Sequence, residues 1–271
     1  NSGSEALSLT RFDTAGGWWT QKSFMFDELM ARPSSLRYLI LQGGEPLLNK
    51  EFENIQDHLV EIGAAQDVTL EIITNFTLLS DRVLENLSRF NSVELEASVD
   101  GIGPVYEYIR YPSRWKTIDE NVQLAQKVPN IRLSFVVAVQ AYNLLDMAEV
   151  LDYCDRHSLS CSMHFLVGPI YLNVLVLPLH IRSLAIERIR ASRERAKNDN
   201  IILLADYLIS YLERKADMQY CDQIDDFMRF TNDLDVSRGQ SFAALYPEIV
   251  AAFNDLGFPW NPALRYAKAS H

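Results

Sequence analysis

Cysteine is scarce in this sequence, and the few cysteines present exclude two kinds of protein. The chain has three cysteines, Cys154, Cys161 and Cys221, among its 271 residues. They are too few for a disulfide framework, and no two of them have the spacing of a zinc site. The sequence therefore predicts free thiols in a reducing compartment, and we expect a cytoplasmic protein.

Long apolar runs and an excess of positive charge are also missing. The most apolar stretch, residues 165–179, is interrupted by Gly168, Pro169 and Pro178 and is shorter than the roughly 20 residues that span a bilayer. The net charge of −11 argues against a nucleic-acid surface, which needs clustered lysine and arginine. The first residues also lack the apolar core of a signal peptide. We therefore expect neither a membrane nor a nucleic-acid partner.

The histidines and glycines form none of the common catalytic patterns. The five histidines are scattered, and no serine or cysteine stands in a recognisable relation to them. Neither a Gly-x-x-x-x-Gly-Lys loop nor a Gly-x-Gly-x-x-Gly loop is present. His164 falls within a predicted strand, so it is either a hydrogen-bonded core histidine or a residue that faces a ligand. The sequence gives no sign of hydrolytic or acid–base chemistry.

What the sequence does contain is a repeated alternation of strands and helices. Apolar runs predict strands over residues 36–42, 68–74, 92–99, 131–139 and 160–167, and amphipathic helices lie between them. One of these helices is predicted to begin at a capping box, Thr117 to Glu120. Alternation of this kind predicts a parallel sheet, and near-continuous apolar strands predict that both its faces are covered. Five units are too few for a closed barrel, so a partial barrel and an open doubly wound sheet remain.

The two ends of the chain differ from this alternating part. Residues 1–21 are predicted to be loop, and a helix is predicted over residues 23–31. After Pro178 the apolar residues keep helical spacing, which predicts helices over residues 179–197, 201–215, 219–231 and 242–256. We therefore divide the chain into an α/β part, residues 1–177, and a helical C-terminal region, residues 178–271.

The most informative stretch is LILQGGEPLL, residues 39–48. Gly43 and Gly44 follow a predicted strand, and glycine there lets the main chain approach a ligand closely. In parallel α/β sheets ligands bind at the carboxyl ends of the strands. Glu45 is then either part of a ligand site or a solvated glutamate in a plain turn.

Further polar residues follow the other predicted strands. Ser98 and Asp100 lie two residues apart, so both point to one side, where a hydroxyl and a carboxylate can hold a diol such as ribose. Asp100 can equally be a turn residue. Arg110, in the stretch YEYIRYPSRW that we predict to be a loop, can bind a carboxylate or stack on Tyr108 or Tyr111.

Taken in order, several stretches resemble the radical S-adenosylmethionine (SAM) superfamily, and within it the twitch-domain-containing group. They are LQGGEPLL, TNFTLLSDRV, VELEASVDGIGPVYEYIRYPSRWKTIDENVQL, VVAVQAYNLLDMAEVL and LDVSRGQSF. The resemblance implies a partial (β/α)6 barrel that lacks its first strand and carries a helical C-terminal appendage.

The resemblance also implies which residues bind SAM. The segment that resembles the family's GGEP motif, whose backbone holds the SAM amino group, is Gly43, Gly44, Glu45 and Pro46. Ser98 and Asp100 match positions near the ribose, and Arg110 matches the arginine that meets the SAM carboxylate. Asn75 lies in a Thr-Asn element beside the cofactor, and Val139 matches a strand position whose backbone borders the adenine.

The implied chemistry is reductive cleavage of SAM by a [4Fe-4S] cluster. The 5′-deoxyadenosyl radical so formed abstracts hydrogen from a peptide or small-molecule substrate, and an electron donor reduces the cluster. The family holds this cluster with a Cys-x3-Cys-x2-Cys loop that is not in this chain.

The first residues, NSGSEAL, resemble the segment that comes directly after the third cysteine of that loop. The resemblance therefore implies a chain truncated after the loop, and inactive as given. The alternative is a cluster-less scaffold that binds SAM or a partner without radical chemistry.

Overall fold

The computed structural model of the chain describes residues 35–266. The predicted loop over residues 1–21 and the predicted helix over residues 23–31 lie outside the described residues.

Five parallel strands form one open sheet. They are β1 (Tyr38–Leu41), β2 (Thr69–Thr74), β3 (Ser92–Ser98), β4 (Ile131–Val139) and β5 (Ser160–Phe165). Their order in the sheet is the order in the chain, whereas a doubly wound sheet reverses its order at a switch point. The α/β prediction is confirmed, and the sheet is that of a partial barrel rather than the doubly wound alternative. All five strands end at the same edge, which we call the carboxyl edge.

Helices connect the strands. They are α1 (Lys50–Glu61), α2 (Asp81–Leu87), α3 (Gly103–Ile109), α4 (Trp115–Ala125) and α5 (Met147–Arg156). The Ser80 side chain caps α2 by accepting a hydrogen bond from the Val83 N–H.

Two predictions in the segment between β3 and β4 are wrong. Part of the stretch predicted as an aromatic loop forms α3, which begins at Gly103 with a proline in its first turn. The predicted capping box at Thr117 lies inside α4, which begins at Trp115. The physical reason is that Glu107 of α3 accepts a hydrogen bond from the Trp115 N–H at 3.1 Å, so a neighbouring helix supplies the cap.

Within residues 35–266 one face of the sheet is buried and the other is partly exposed. Alternate residues such as Leu70, Leu95 and Phe135 are buried beneath the helices, whereas the residues between them are partly exposed. The open face carries polar residues, which are Glu71, Glu94, Glu96, Ser134, Ser162 and His164. The prediction that both faces are covered is therefore wrong, because single polar residues within the apolar runs mark an exposed face. His164 is exposed, so the core-histidine interpretation is wrong as well.

The rest of the chain is helical. After Phe165 the described residues contain no strand, and the helices are α6 (Leu179–Arg195), α7 (Asp199–Arg214), α8 (Ile224–Arg238), α9 (Phe242–Leu245) and α10 (Pro247–Asp255). The predicted helices are confirmed in type. The last one is divided because Pro247 lacks the N–H that would continue α9. The division at residues 177 and 178 stays a prediction. In the part of the chain that the structure describes, no helix is long and apolar enough to cross a bilayer.

Candidate functional site

The turn after β1 presents bare backbone at the carboxyl edge. Gly43 and Gly44 have φ values of +95° and +58°, in the left-handed region that favours glycine. A Cβ built on either residue meets no atom within 4 Å, so the backbone angle, not lack of space, requires glycine. Within residues 35–266 no donor bonds to either carbonyl. Two backbone acceptors are therefore open to a ligand.

Glu45 fixes this turn to the end of the neighbouring strand. Its Oε1 accepts hydrogen bonds from the Thr74 hydroxyl at 2.5 Å and the Leu47 N–H at 3.2 Å. Its Oε2 accepts one from the Asn75 N–H at 2.7 Å. The interpretation of Glu45 as a solvated glutamate is therefore wrong, and the buried Pro46 that follows it begins a short 3-10 turn.

The end of β2 is held in an unusual backbone conformation. Phe76 is fully buried with a φ of +60°, which costs a non-glycine residue roughly 1–2 kcal/mol. Its N–H donates to the Thr74 hydroxyl oxygen at 2.9 Å, and its carbonyl accepts from the buried Asn121 amide at 2.8 Å. The Asn75 side-chain oxygen accepts bonds from Thr77, and its amide N–H groups have no partner in residues 35–266. Asn75 therefore has donors available at the carboxyl edge.

Asp100 and Arg110 form an ion pair beyond the end of β3. The Arg110 Nε donates to Asp100 Oδ2 at 2.7 Å, and Asp100 Oδ1 accepts from the Ala138 N–H at 2.8 Å. The Asp100 side chain is buried, whereas that of Arg110 is 31% exposed. Neither terminal nitrogen of Arg110 has a partner in the described part of the chain. One edge of the guanidinium is therefore fixed and the other is free to bind a carboxylate.

Arg110 does not stack on the tyrosines beside it, as one interpretation of the sequence had it. The ring of Tyr111 is instead covered by the guanidinium of Arg238, 5.7 Å from the ring centre. Arg110 lies directly after α3 and not in a loop, because α3 extends to Ile109.

Asn143 connects the ends of β3 and β4, and sequence reasoning missed its role. It is fully buried, and its amide donates to the carbonyls of Asp100 and Ala138, both at 2.8 Å. Its side-chain oxygen accepts from the Gln140 N–H at 2.8 Å. The available signal was an asparagine just past a strand, where this side chain commonly bonds to nearby backbone.

The last two predicted site residues end their strands. Ser98 closes β3 on the open face, and its hydroxyl has no hydrogen-bond partner among the described residues. Val139 closes β4 and is buried, and its carbonyl accepts from the Leu166 N–H at 2.9 Å. The structure thus brings Glu45 to Asn75 and Asp100 to Arg110, and it places Ser98 and Val139 at the same edge without a side-chain bond to either pair.

The open sheet face below this edge is acidic. Glu71 accepts a hydrogen bond from the Tyr38 hydroxyl, which raises the pKa of Tyr38 to about 12. The Glu94 Oε1 atom lies 3.9 Å from the Arg132 Nη1 atom. Burial, together with Glu71 and Glu94, raises the pKa of Glu96.

The cysteines do not fit an iron–sulfur cluster. Cys154 on α5 and Cys161 on β5 are both buried, and the Cys161 thiol together with burial raises the pKa of Cys154. Cys221 is exposed in a separate 3-10 turn. Within residues 35–266 no three cysteine, histidine or acidic side chains are grouped to hold a metal. The described residues therefore do not supply the ligands of a cluster.

Comparison with protein families identifies the α/β part. Residues 25–154 match the model of the radical SAM superfamily. The matched segment, slightly less than half of the chain, is similar to the radical SAM superfamily. The radical SAM segment contains every predicted site residue, from Gly43 to Val139, and it contains Asn143.

Comparison with solved structures gives three matches to SuiB of Streptococcus suis. SuiB bound to S-adenosylmethionine is 15% identical with a TM-score of 0.43, over 62% of this chain and 39% of SuiB. SuiB bound to its precursor peptide SuiA is 15% identical with a TM-score of 0.45, over 65% and 40%. A third SuiB structure is 16% identical with a TM-score of 0.45, over 63% and 40%. The chain thus spans about two fifths of the length of SuiB. None of the curated proteins matches it.

Proposed function

We propose that this chain is the SAM-binding part of a radical SAM enzyme of the twitch group, and that SAM binds along the carboxyl edge of its sheet. The proposal is supported by two backbone carbonyls without a donor in residues 35–266, at Gly43 and Gly44, and by the free edge of the Arg110 guanidinium, which follow β1 and β3 of the same sheet. Both lie in the segment that matches the superfamily. An α-amino acid group such as that of SAM needs acceptors for its ammonium and donors for its carboxylate.

The roles of the remaining residues follow from the groups that they leave free. Ser98 offers a hydroxyl, and Asn75 offers amide donors, to the ribose or adenine of SAM. Asp100 holds Arg110, and lone pairs left on its carboxylate are available to a ribose hydroxyl. Glu45 and Pro46 shape the glycine turn, and Val139 contributes backbone beside the adenine.

The radical chemistry needs more than these residues. In the family one electron from a [4Fe-4S] cluster splits SAM into methionine and a 5′-deoxyadenosyl radical, which then takes a hydrogen atom from the substrate. Because residues 35–266 hold no set of cluster ligands, we assign no electron-transfer step to them. Their part is to bind and orient SAM. A peptide or small-molecule substrate, an electron donor and a cytoplasmic location remain predictions.

The alternative is a scaffold that binds SAM or a partner without radical chemistry. Anaerobic reconstitution of the full-length gene product with iron and sulfide separates the two functions. An iron–thiolate absorption band supports the enzyme, and its absence supports the scaffold.

SAM titration by calorimetry tests the site. Gly44→Val should weaken SAM binding at least tenfold, because a β-branched residue disfavours a φ of +58° and moves the carbonyls. Arg110→Ala should weaken it by about tenfold or more, because a charge-assisted hydrogen bond to the carboxylate is lost.

The matched control is Gly63→Val. Gly63 also has a left-handed φ, +72°, with open space around it, but it follows α1 and precedes β2, away from the carboxyl edge. It should cost comparable stability and leave SAM affinity unchanged. Unchanged affinity in both site variants would remove the site assignment.

A further inference from the structure

The end of α3, directly before Arg110, is held by side chains from α8 and the turn after it. The last carbonyls of a helix have no partner within the helix. Here the carbonyl of Glu107 accepts from Gln240 Nε2 at 3.0 Å, and that of Tyr108 accepts from Arg238 Nη1 at 3.2 Å. Two residues far along the chain thus bond the carbonyls that α3 leaves open.

A third residue, on α8, holds the side chain of Tyr108. The Tyr108 hydroxyl donates to Asp235 Oδ1 at 2.9 Å, and Asp235 Oδ2 accepts from the Phe242 N–H at 2.8 Å. Arg238 also covers the ring of Tyr111. The residues on both sides of Arg110 are therefore in contact with α8.

Gly239 makes this arrangement possible. It ends α8 with a φ of +65°, and the turned chain brings Gln240 back to α3 and Phe242 back to Asp235. Phe242 is fully buried, and its ring centre lies 6.1 Å from the ring centre of Tyr108. This accounts physically for the LDVSRGQSF stretch, which is residues 234–242.

We propose that Asp235, Arg238 and Gln240, which we call the α8 clamp, are positioning residues for Arg110. The inference rests on the proposed function, since it assumes that Arg110 binds the SAM carboxylate. Asp100 fixes one edge of the guanidinium, and the clamp fixes the helix end from which Arg110 projects. The clamp thereby sets how well the free edge of Arg110 meets a carboxylate.

The clamp is separable from the contacts that hold α8 in the protein. The hydroxyls of Tyr142 and Thr231 are 2.8 Å apart, and the Asn232 amide donates to the carbonyls of Asn261 and Leu264, both at 2.8 Å. Loss of the clamp bonds should therefore leave α8 in place. Weaker SAM binding in a clamp variant then reports a change in the position of Arg110 and not unfolding of α8.

The experiment compares two probes, SAM and decarboxylated SAM, by calorimetry. Wild-type protein should bind SAM about tenfold more tightly, because only SAM offers Arg110 a carboxylate. In the double variant Arg238→Met, Gln240→Leu this preference should fall towards one, with about tenfold weaker SAM binding and unchanged binding of the decarboxylated probe. Arg238→Lys keeps a donor for the Tyr108 carbonyl, so this variant should retain more of the preference for SAM over decarboxylated SAM than the double variant does.

The matched control is Arg229→Met on the same helix. Arg229 also donates to a backbone carbonyl, that of Arg265 at 2.9 Å, but it does not contact α3 in the described structure. It should leave both affinities unchanged. A second measurement needs no ligand: hydrogen exchange of the amides of residues 103–114 should be faster in Gln240→Leu than in Arg229→Met.

The outcomes separate the two proposals. If Arg110→Ala abolishes the preference for SAM but the clamp variants keep it, and exchange over residues 103–114 is unchanged, the clamp inference is overturned and the SAM site stands. If wild-type protein binds both probes equally or neither, the SAM site fails and the inference fails with it.

Discussion

The two ends of the candidate SAM site are built in opposite ways. The turn after β1 is exposed, offers backbone atoms and is held mainly by the carboxylate of Glu45. The segment after β3 offers the Arg110 side chain and is held by Asp100, by Asn143 and by the α8 clamp. A long side chain such as that of arginine loses rotamer freedom worth up to about 2 kcal/mol when it is ordered, so it gains from being fixed beforehand. We infer that the stabilising contacts are concentrated around the flexible side chain of Arg110.

The largest expected effect on the free energy of unfolding is in the segment after β3. Asp100→Ala leaves the Arg110 Nε and the Ala138 N–H without their acceptor, and it should lower the free energy of unfolding by about 3 kcal/mol. Urea unfolding measures it. The exposed pair of Glu85 and Arg89 is the control, and Glu85→Ala should cost only about 0.5 kcal/mol. Equal losses in the two variants would contradict the contrast.

A smaller effect is expected at the exposed end. Glu45→Ala removes the acceptor of the buried Thr74 hydroxyl and of the Asn75 N–H, which should cost about 2 kcal/mol. Glu45→Gln keeps one acceptor oxygen and should cost less. The comparison is sharpened by hydrogen exchange at Asn75, which should accelerate in Glu45→Ala. If its exchange stays slow, the turn is held by something other than Glu45.

The smallest effect is a pH dependence at the contact between the helical region and the residue that precedes α5. Asp146 accepts a hydrogen bond from the Tyr246 hydroxyl, and burial raises the pKa of Asp146. The folded protein thus holds this proton more tightly than the unfolded chain does. Its contribution to stability should fall as the pH rises from the ordinary carboxyl pKa of about 4 through the raised folded value. Asp146→Asn should flatten the dependence of the urea midpoint on pH.

Asp206 provides a control of opposite sign. It is exposed, and its hydrogen bond from Arg193 lowers the pKa of Asp206. Its contribution is present above the ordinary carboxyl pKa and is lost as the pH falls through the lowered value. In the wild-type protein Asp206 should therefore make stability increase with rising pH, and Asp206→Asn should remove this increase. The same sign in both variants would show that burial of Asp146 is not the cause.

The strands, and the position of the candidate residues at one edge of the sheet, could be predicted because both depend on local pattern. Apolar runs that stop at Gly43, Asn75 and Asp100 mark strand ends, and parallel strands bring those ends to one edge. The partners of these residues could not be predicted, because a pattern does not show which side chains meet. Asp100 meets Arg110 only because α3 forms, and α3 was hidden in an aromatic stretch.

The faces of the sheet illustrate the same limit. Glu94 and Glu96 sit within the run SVELEAS, where period-two alternation was visible and indicated one exposed face. The apolar residues between them outweighed that signal. The α8 clamp was beyond sequence reasoning for another reason, since it joins Glu107 to Gln240 across 133 positions.

That separation has a consequence for how the protein is made. Contacts between distant positions form late, since the chain between them must first be closed into a loop. On the ribosome the strands that surround Arg110 emerge well before Gln240 does. A nascent chain can therefore complete its sheet before α8 and the turn after it have emerged to hold the end of α3, from which Arg110 projects.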